Sequence, residues 1–69
     1  MKNNIRVQRA IHRLTQQDVA DKIGVSRQTI NAMELGKYIP STLLALKLAQ
    51  LFRVAVEEIF SLEESDAKD

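Results

Sequence analysis

The sequence has no cysteine and no tryptophan, and it has a single histidine among its 69 residues. Without cysteine the chain has neither a disulfide framework nor a thiolate zinc cluster, and one histidine does not make a zinc site of the usual ligands. We therefore expect an intracellular protein with no metal and no cofactor. A domain of this length is near the lower limit for folding alone, so oligomerisation is a reasonable source of added stability.

Long hydrophobic runs are missing as well. The longest apolar stretch is Leu43–Leu46, and Lys47 ends it far short of the roughly 20 residues that span a bilayer. Neither end of the sequence shows a basic segment followed by an apolar one, which would be typical of a targeting signal. We expect a soluble, cytoplasmic protein with no membrane partner.

Acidic side chains are scarce in the first part of the chain. Residues 1–40 carry seven basic and three acidic side chains, whereas residues 41–69 carry three basic and six acidic ones. A chain polarised in this way suggests that its N-terminal part meets a polyanion. The alternative is that surface charge simply varies from segment to segment.

Glycine and proline are few, and each lies where a helix is expected to begin or end. Apolar residues recur at intervals of three and four, and no segment alternates long enough to predict a strand. The sequence thus predicts an all-α, compact five-helix domain over residues 1–62, followed by an acidic, disordered tail over residues 63–69. The expected helices cover residues 4–13, 15–24, 27–35, 42–52 and 56–61, with Thr15, Ser26 and Ser41 as N-caps, Gly24 and Gly36 as left-handed C-terminal residues, and Pro40 as a stop.

The second and third helices are separated only by Gly24, Val25 and Ser26. So short a connection holds two helices at a steep angle, which is the arrangement of a helix-turn-helix. On the third helix Ile30 and Met33 define the buried side, and the opposite side is centred on Gln28. The side chains on that side have the chemistry that reads base edges in the major groove, although a solvated polar face is the simpler alternative.

The segment TQQDVADKIGVSRQTINAMELGKYIPS resembles the helix-turn-helix of the Cro/repressor-like (XRE-type) family, which includes the phage lambda and 434 repressors. The resemblance covers about residues 4–60 and is carried by TQQ, the GVS corner, SRQTIN, E-x-GK and the closing EEIF. It implies a lambda-repressor-like DNA-binding domain that is not an enzyme. It further implies a homodimeric, nucleoid-associated repressor on palindromic operators in double-stranded DNA. Because the sequence indicates no second domain, we expect no small-molecule effector.

The resemblance also implies roles for individual residues. The expected base-reading residues are Gln16, Arg27, Gln28, Thr29 and Asn31; the expected contacts to the DNA backbone are Gln17, Ser26, Lys37 and Tyr38; and Arg9 and Glu34 are expected to form a buried ion pair. Gln16 also lies in the first turn of the second helix. Backbone N–H groups are unpaired there, which favours the binding of a phosphate. For Tyr38 the alternative is a small hydrophobic anchor that covers its loop.

Two features depart from the family pattern. Gln8 stands where the first helix usually has an apolar residue, and Ile11 stands where it usually has a polar one. Either the helix is rotated slightly or Ile11 is an exposed contact. Ala55 replaces the usual Ser, Thr or Pro before the fifth helix, so we expect the first turn of that helix to fray.

The fourth helix is apolar almost all round, and a helix of this kind must be covered on more than one side. We therefore expect a self-complementary dimer surface, with a monomeric core closed by the fifth helix as the alternative. The expected interface residues are Phe52, Val54, Val56, Ile59, Phe60 and Leu62.

Two other functions compete with a dedicated repressor. The first is an antitoxin-type module that binds operator DNA and also a partner protein, for which Val7 and Ile11 on the first helix offer a surface. The second is a subunit of a larger complex that has lost DNA contact, against which Arg27, Gln28 and Asn31 argue. An enzyme is the weakest reading, because no nucleophile, phosphate loop or carboxylate pair is recognisable.

Overall fold

A computed structural model describes residues 1–66 of the chain. Its helices are α1 (Ile5–His12), α2 (Gln16–Ile23), α3 (Arg27–Glu34) and α4 (Thr42–Phe52), followed by a 3-10 turn (Val56–Glu58), and its strands are β1 (Lys2–Asn3) and β2 (Phe60–Ser61). None of the described helices is both long and apolar enough to cross a bilayer.

The prediction of an all-α, five-helix fold is corrected at the fifth helix. Residues 56–58 form only a 3-10 turn, and the chain then continues as β2. This strand pairs antiparallel with β1, so that Lys2 faces Ser61 and Asn3 faces Phe60. The segment is too short to recover the cost of nucleating an α-helix, whereas β1 offers it backbone partners directly. Glu58 caps the turn by accepting the Ala55 N–H at 2.7 Å.

The predicted starts of α2, α3 and α4 are confirmed by their side-chain caps. Thr15 Oγ1 accepts the Asp18 N–H at 3.0 Å, and the Asp18 carboxylate accepts the Thr15 N–H at 2.9 Å, which completes a capping box. These hydrogen bonds also hold the pKa of Asp18 below its usual value. Ser26 and Ser41 each accept the N–H of the residue three positions further along.

The helices α1 and α4 end at a left-handed residue that is not a glycine, which the positions of the glycines do not predict. Gly24 and Gly36 have the expected positive φ, but Arg13 and Arg53, which follow α1 and α4, also lie in the left-handed region with φ of 57°. A side chain with a Cβ is strained there by about 1 kcal/mol. At Arg13 and Arg53, packing of the rest of the chain therefore outweighs the backbone preference of a residue that has a Cβ.

The core is built from all four helices and from the segment that follows them. Its buried apolar members are Ile5, Val19, Ala20, Ile23, Ile30, Met33, Leu48, Phe52, Ile59 and Phe60. On α1, Gln8 is only 8% exposed, whereas Ile11 is 64% exposed. At these two positions, where the sequence departs from the family pattern, α1 therefore buries the Gln8 amide and exposes the Ile11 side chain.

Some of the residues predicted for a dimer interface are buried in the core of their own chain instead. Phe52 and Ile59 are 1% and 2% exposed, so they have no surface left for a second copy. Phe60 is also buried, Val54 and Val56 are half-buried, and Leu62 is exposed.

Residues 63–66 form a turn, where composition alone led us to expect a disordered tail. Asp66 Oδ2 accepts the Glu63 N–H at 3.0 Å and lies 2.6 Å from the amino group of Met1. Glu63 Oε1 lies 3.1 Å from the same amino group. The remainder of the expected tail, residues 67–69, is outside the described part of the chain.

Candidate nucleic-acid interface

The pair α2–α3 is held by a shared apolar contact. Val19, Ala20 and Ile23 of α2 and Ile30 and Met33 of α3 are all buried in the core. At the corner between the helices, Gly24 takes a φ of 79°, and the half-buried Val25 packs against the core. With one face of α3 fixed inward, its opposite face is directed to solvent.

That outward face carries polar side chains. Arg27, Gln28 and Asn31 are exposed, and Thr29 is half-buried. The Thr29 hydroxyl lies 2.9 Å from that of Ser26, so the two hydroxyls already share a hydrogen bond. Among these residues, Gln28 is the one whose side chain forms no hydrogen bond with the described part of the chain, which leaves its whole amide available to a ligand.

Gln16, in the first turn of α2, links the two helices through its amide. Its Nε2 donates to Asn31 Oδ1 at 3.1 Å and to Glu34 Oε1 at 3.2 Å, and its Oε1 accepts from Arg27 Nη1 at 3.4 Å. The structure therefore brings three of the predicted base-reading residues into one hydrogen-bonded cluster. Side chains connected in this way are ordered before any ligand arrives, which lowers the entropy cost of binding.

Arg9 and Glu34 form the ion pair that the resemblance implies. Arg9 Nε donates to Glu34 Oε2 at 2.6 Å and Arg9 Nη2 donates to Glu34 Oε1 at 3.1 Å, so the contact is bidentate. The Arg9 and Glu34 side chains are 17% and 9% exposed. The carboxylate raises the pKa of Arg9 through this hydrogen bond. Arg9 Nη1 also donates to the Leu14 carbonyl at 3.1 Å, which fixes the guanidinium against the end of α1.

The residues predicted to contact the DNA backbone are spread around α3. Lys37 and Tyr38 lie exposed in the loop after the helix. Gln17 is also exposed, but its Nε2 donates to Asp21 Oδ1 at 2.8 Å. Ser26 acts as the N-cap of α3. Lys37, whose ammonium has no partner among residues 1–66, is therefore the strongest candidate for a phosphate contact in this set.

Sequence reasoning missed Arg6 and Asn4, which the start of α1 brings to this region. A groove of about 470 Å³ runs between the start of α1 and α3, next to Gln16 and Asn31, and Arg6 and Asn4 line it. Arg6 is exposed, and Asn4 Oδ1 is buried with no hydrogen-bond partner in the described residues. The basic character of residues 1–40 is the signal that could have indicated Arg6, but it does not tell which side of α1 faces α3.

Two short helices packed across a tight corner, with an exposed polar face on the second, define a helix-turn-helix protein. A family model described as helix-turn-helix matches residues 5–59. The chain belongs to this helix-turn-helix family, of the Cro/repressor-like (XRE) type, whose members are DNA-binding proteins and not enzymes.

Relatives from archaea and from a bacterium agree with this family. The chain is 54% identical over 66 residues to an uncharacterized HTH-type transcriptional regulator of Methanocaldococcus jannaschii, a match that covers 96% of this chain and 100% of the relative. It is 46% identical over 69 residues to one from Methanothermobacter thermautotrophicus, covering 99% and 100%. It is 42% identical over 66 residues to YgzD of Bacillus subtilis, covering 96% and 100%.

Proposed function

We propose that this protein is a sequence-specific regulator of transcription, acting as a repressor, that inserts α3 into the major groove of double-stranded DNA. The observation that supports this most directly is the exposed row of Arg27, Gln28 and Asn31 on a helix whose other face is anchored by Ile30 and Met33. Guanidinium and amide groups are the side chains that match guanine and adenine edges.

The surroundings of α3 supply the contacts that carry no sequence information. The N-terminus of α2 has unpaired N–H groups beside Gln16, and Lys37 and Tyr38 extend from the loop after α3. Such groups hold the sugar-phosphate chain and set the register of the reading helix. Because phosphate contacts release counterions, affinity for any DNA falls as salt concentration rises.

The protein acts as a homodimer that uses an apolar surface on α4 and on the loop before it. Ile39, Leu43 and Leu46 are 65%, 62% and 52% exposed. A groove of about 240 Å³ adjoins them, and the residues that line it have no charged side chain: Met1, Ile39, Pro40, Thr42, Ala45, Leu46, Val56 and Phe60. The Met1 amino group is paired with Glu63 and Asp66, so a patch without charged side chains can meet its own copy across a twofold axis with little like-charge repulsion.

Selection of binding sites from random double-stranded DNA tests this function. We expect the full chain to enrich an inverted repeat whose half-sites are centred about 34 Å apart, one turn of the DNA. Enrichment of no sequence would refute base reading by α3. Enrichment of an isolated half-site would keep base reading and refute the dimer.

A module that also binds a protein partner is the second candidate. Val7 and Ile11 lie four residues apart on α1, and both are exposed. Residues with this spacing form one stripe on a helix, which suits contact with a second protein. Substitution of Ile11 by Glu would abolish capture of a protein encoded beside this one and leave DNA binding intact. A partner retained by that variant would exclude α1 as its docking surface.

A further inference from the structure

Glu34 does more than pair with Arg9, because its Oε1 also accepts the Gln16 Nε2–H at 3.2 Å. We infer that Glu34 is a positioning residue that sets the base preference of α3 without touching DNA, by fixing which way the amides of Gln16 and Asn31 point. This inference rests on the proposed function, since it concerns the bases that α3 would read.

The carboxylate determines the orientation of Gln16. A carboxylate accepts hydrogen bonds and has none to donate, so the Gln16 atom that faces it must be the NH₂ group. Both N–H bonds of that group are then used, one toward Glu34 and one toward Asn31 Oδ1 at 3.1 Å. Gln16 Oε1 is left on the other side, where Arg27 Nη1 lies at 3.4 Å.

The orientation of Gln16 in turn determines that of Asn31. Because Gln16 presents a donor, Asn31 turns its Oδ1 toward α2. The Asn31 NH₂ group, whose two donors have no partner within residues 1–66, is then left for a ligand. A three-member relay thus runs from the Glu34 carboxylate through the Gln16 amide to the exposed end of Asn31.

This relay has a consequence for base recognition. A donor at Asn31 fits major-groove acceptors, which are purine N7, guanine O6 and thymine O4. It has no acceptor partner in the major-groove edge of cytosine, which there presents its N4 amino donor. Asn31 therefore discriminates against cytosine at the base it contacts.

Glu34 is itself held in place well enough to act in this way. Arg9 holds both carboxylate oxygens, at 2.6 Å and 3.1 Å, and the Glu34 side chain is 9% exposed. A group so constrained and shielded from water does not reorient when the ligand binds. Arg9 of α1 thus holds the carboxylate in place, while the polarity of the relay comes from the carboxylate itself, which can only accept hydrogen bonds.

Two variants separate this role from simple stabilisation. In Glu34→Gln we expect the amide oxygen to take the Oε2 position, where Arg9 Nε makes the shorter bond of 2.6 Å, and the longer bond from Arg9 Nη2 to be lost. The new NH₂ then stands at the Oε1 position and faces Gln16, which reverses the relay and exposes Asn31 Oδ1. In Arg9→Gln the ion pair is equally lost, but the carboxylate still faces Gln16. Both variants lose stability, and only the first is expected to change base preference.

The readout is competition binding of the full chain to its selected site with each base in turn at the Asn31 position. We expect the unmodified chain and Arg9→Gln to disfavour cytosine there by about tenfold, the size of one good base contact. In Glu34→Gln we expect that ratio to fall to about one or to invert. An unchanged ratio in Glu34→Gln, or the same change in Arg9→Gln, would overturn the inference.

A third variant covers the case in which Glu34→Gln fails to fold. Gln16→Met interrupts the relay and leaves the Arg9–Glu34 pair intact, so the protein stays folded while the discrimination at the Asn31 position is lost. Retained discrimination in this variant would also overturn the inference. If the unmodified chain shows no base preference anywhere, the proposed function itself fails.

The relay can also be tested in the absence of DNA. In the free protein, nuclear Overhauser contacts from the Gln16 side-chain NH₂ protons to α3 should be seen in the unmodified chain and in Arg9→Gln, and should be lost in Glu34→Gln. Their absence from the unmodified chain would overturn the relay whatever the DNA experiments show.

Discussion

Replacing Arg9 by Met should destabilise the fold by about 2–3 kcal/mol. The change removes a bidentate contact at 2.6 Å and 3.1 Å to Glu34 and a hydrogen bond to the Leu14 carbonyl. Breaking a fully buried pair costs about 3–5 kcal/mol, chiefly because a charge is left without a partner. The Arg9 and Glu34 side chains keep 17% and 9% of their surface exposed, so the expected loss lies just below that range. For 69 residues the total stability is of the order of 3–10 kcal/mol.

Urea denaturation of the single variants Arg9→Met and Glu34→Met, and of the double variant, measures this loss. The reasoning attributes the cost to the orphaned charge, so removing both partners should return stability to within about 1 kcal/mol of the original. A double variant as unstable as the sum of the two singles would refute that reasoning. The loss would then come from packing around the aliphatic stems of the two side chains.

Other substitutions probe the reading face, the dimer surface and the helix ends. Gln28→Ala should cost about 1–3 kcal/mol on the selected site and little on random DNA, whereas Lys37→Ala should weaken both alike; equal losses for Gln28→Ala in fluorescence anisotropy would contradict its role. Leu43→Glu should yield monomers in analytical ultracentrifugation, while Ile11→Glu, at a similarly exposed apolar residue, should not; a dimeric Leu43→Glu would exclude the α4 surface. Arg53→Gly should raise stability by about 1 kcal/mol, since glycine is unstrained at positive φ; an equal gain in Arg53→Ala would show that the side chain, and not the backbone, is responsible.

The parts of the fold that local chemistry determines could be predicted from the sequence. Thr15, Ser26 and Ser41 act as N-caps because a hydroxyl three residues before an unpaired N–H satisfies it whatever the rest of the chain does. The corner at Gly24 is equally local, since glycine takes the left-handed conformation at low cost. The buried face of α3 follows from the spacing of Ile30 and Met33.

The parts that depend on distant partners could not be predicted in this way. Two-residue strands such as β2 have no periodicity to detect, and the partner of β2 lies at the other end of the chain. Phe52 and Ile59 are apolar whether they face a core or a second copy, so composition alone could not decide between these. Gln16 could be placed near α3 from the helix-turn-helix arrangement, but its hydrogen bonds to Asn31 and Glu34 depend on side-chain directions that only the three-dimensional structure gives.

The pairing of β1 with β2 bears on the order in which the protein folds. Asn3 lies opposite Phe60 and also donates its Nδ2–H to the Met33 carbonyl at 2.8 Å, so this small ribbon holds the last turn of α3. Contacts that close a loop of nearly the whole chain form late, because the entropy of closure must be met first. The reading helix therefore gains its final anchor only when both ends of the chain have met. Amide hydrogen exchange in its last turn should accordingly follow the opening of the ribbon and not that of the helix-turn-helix corner.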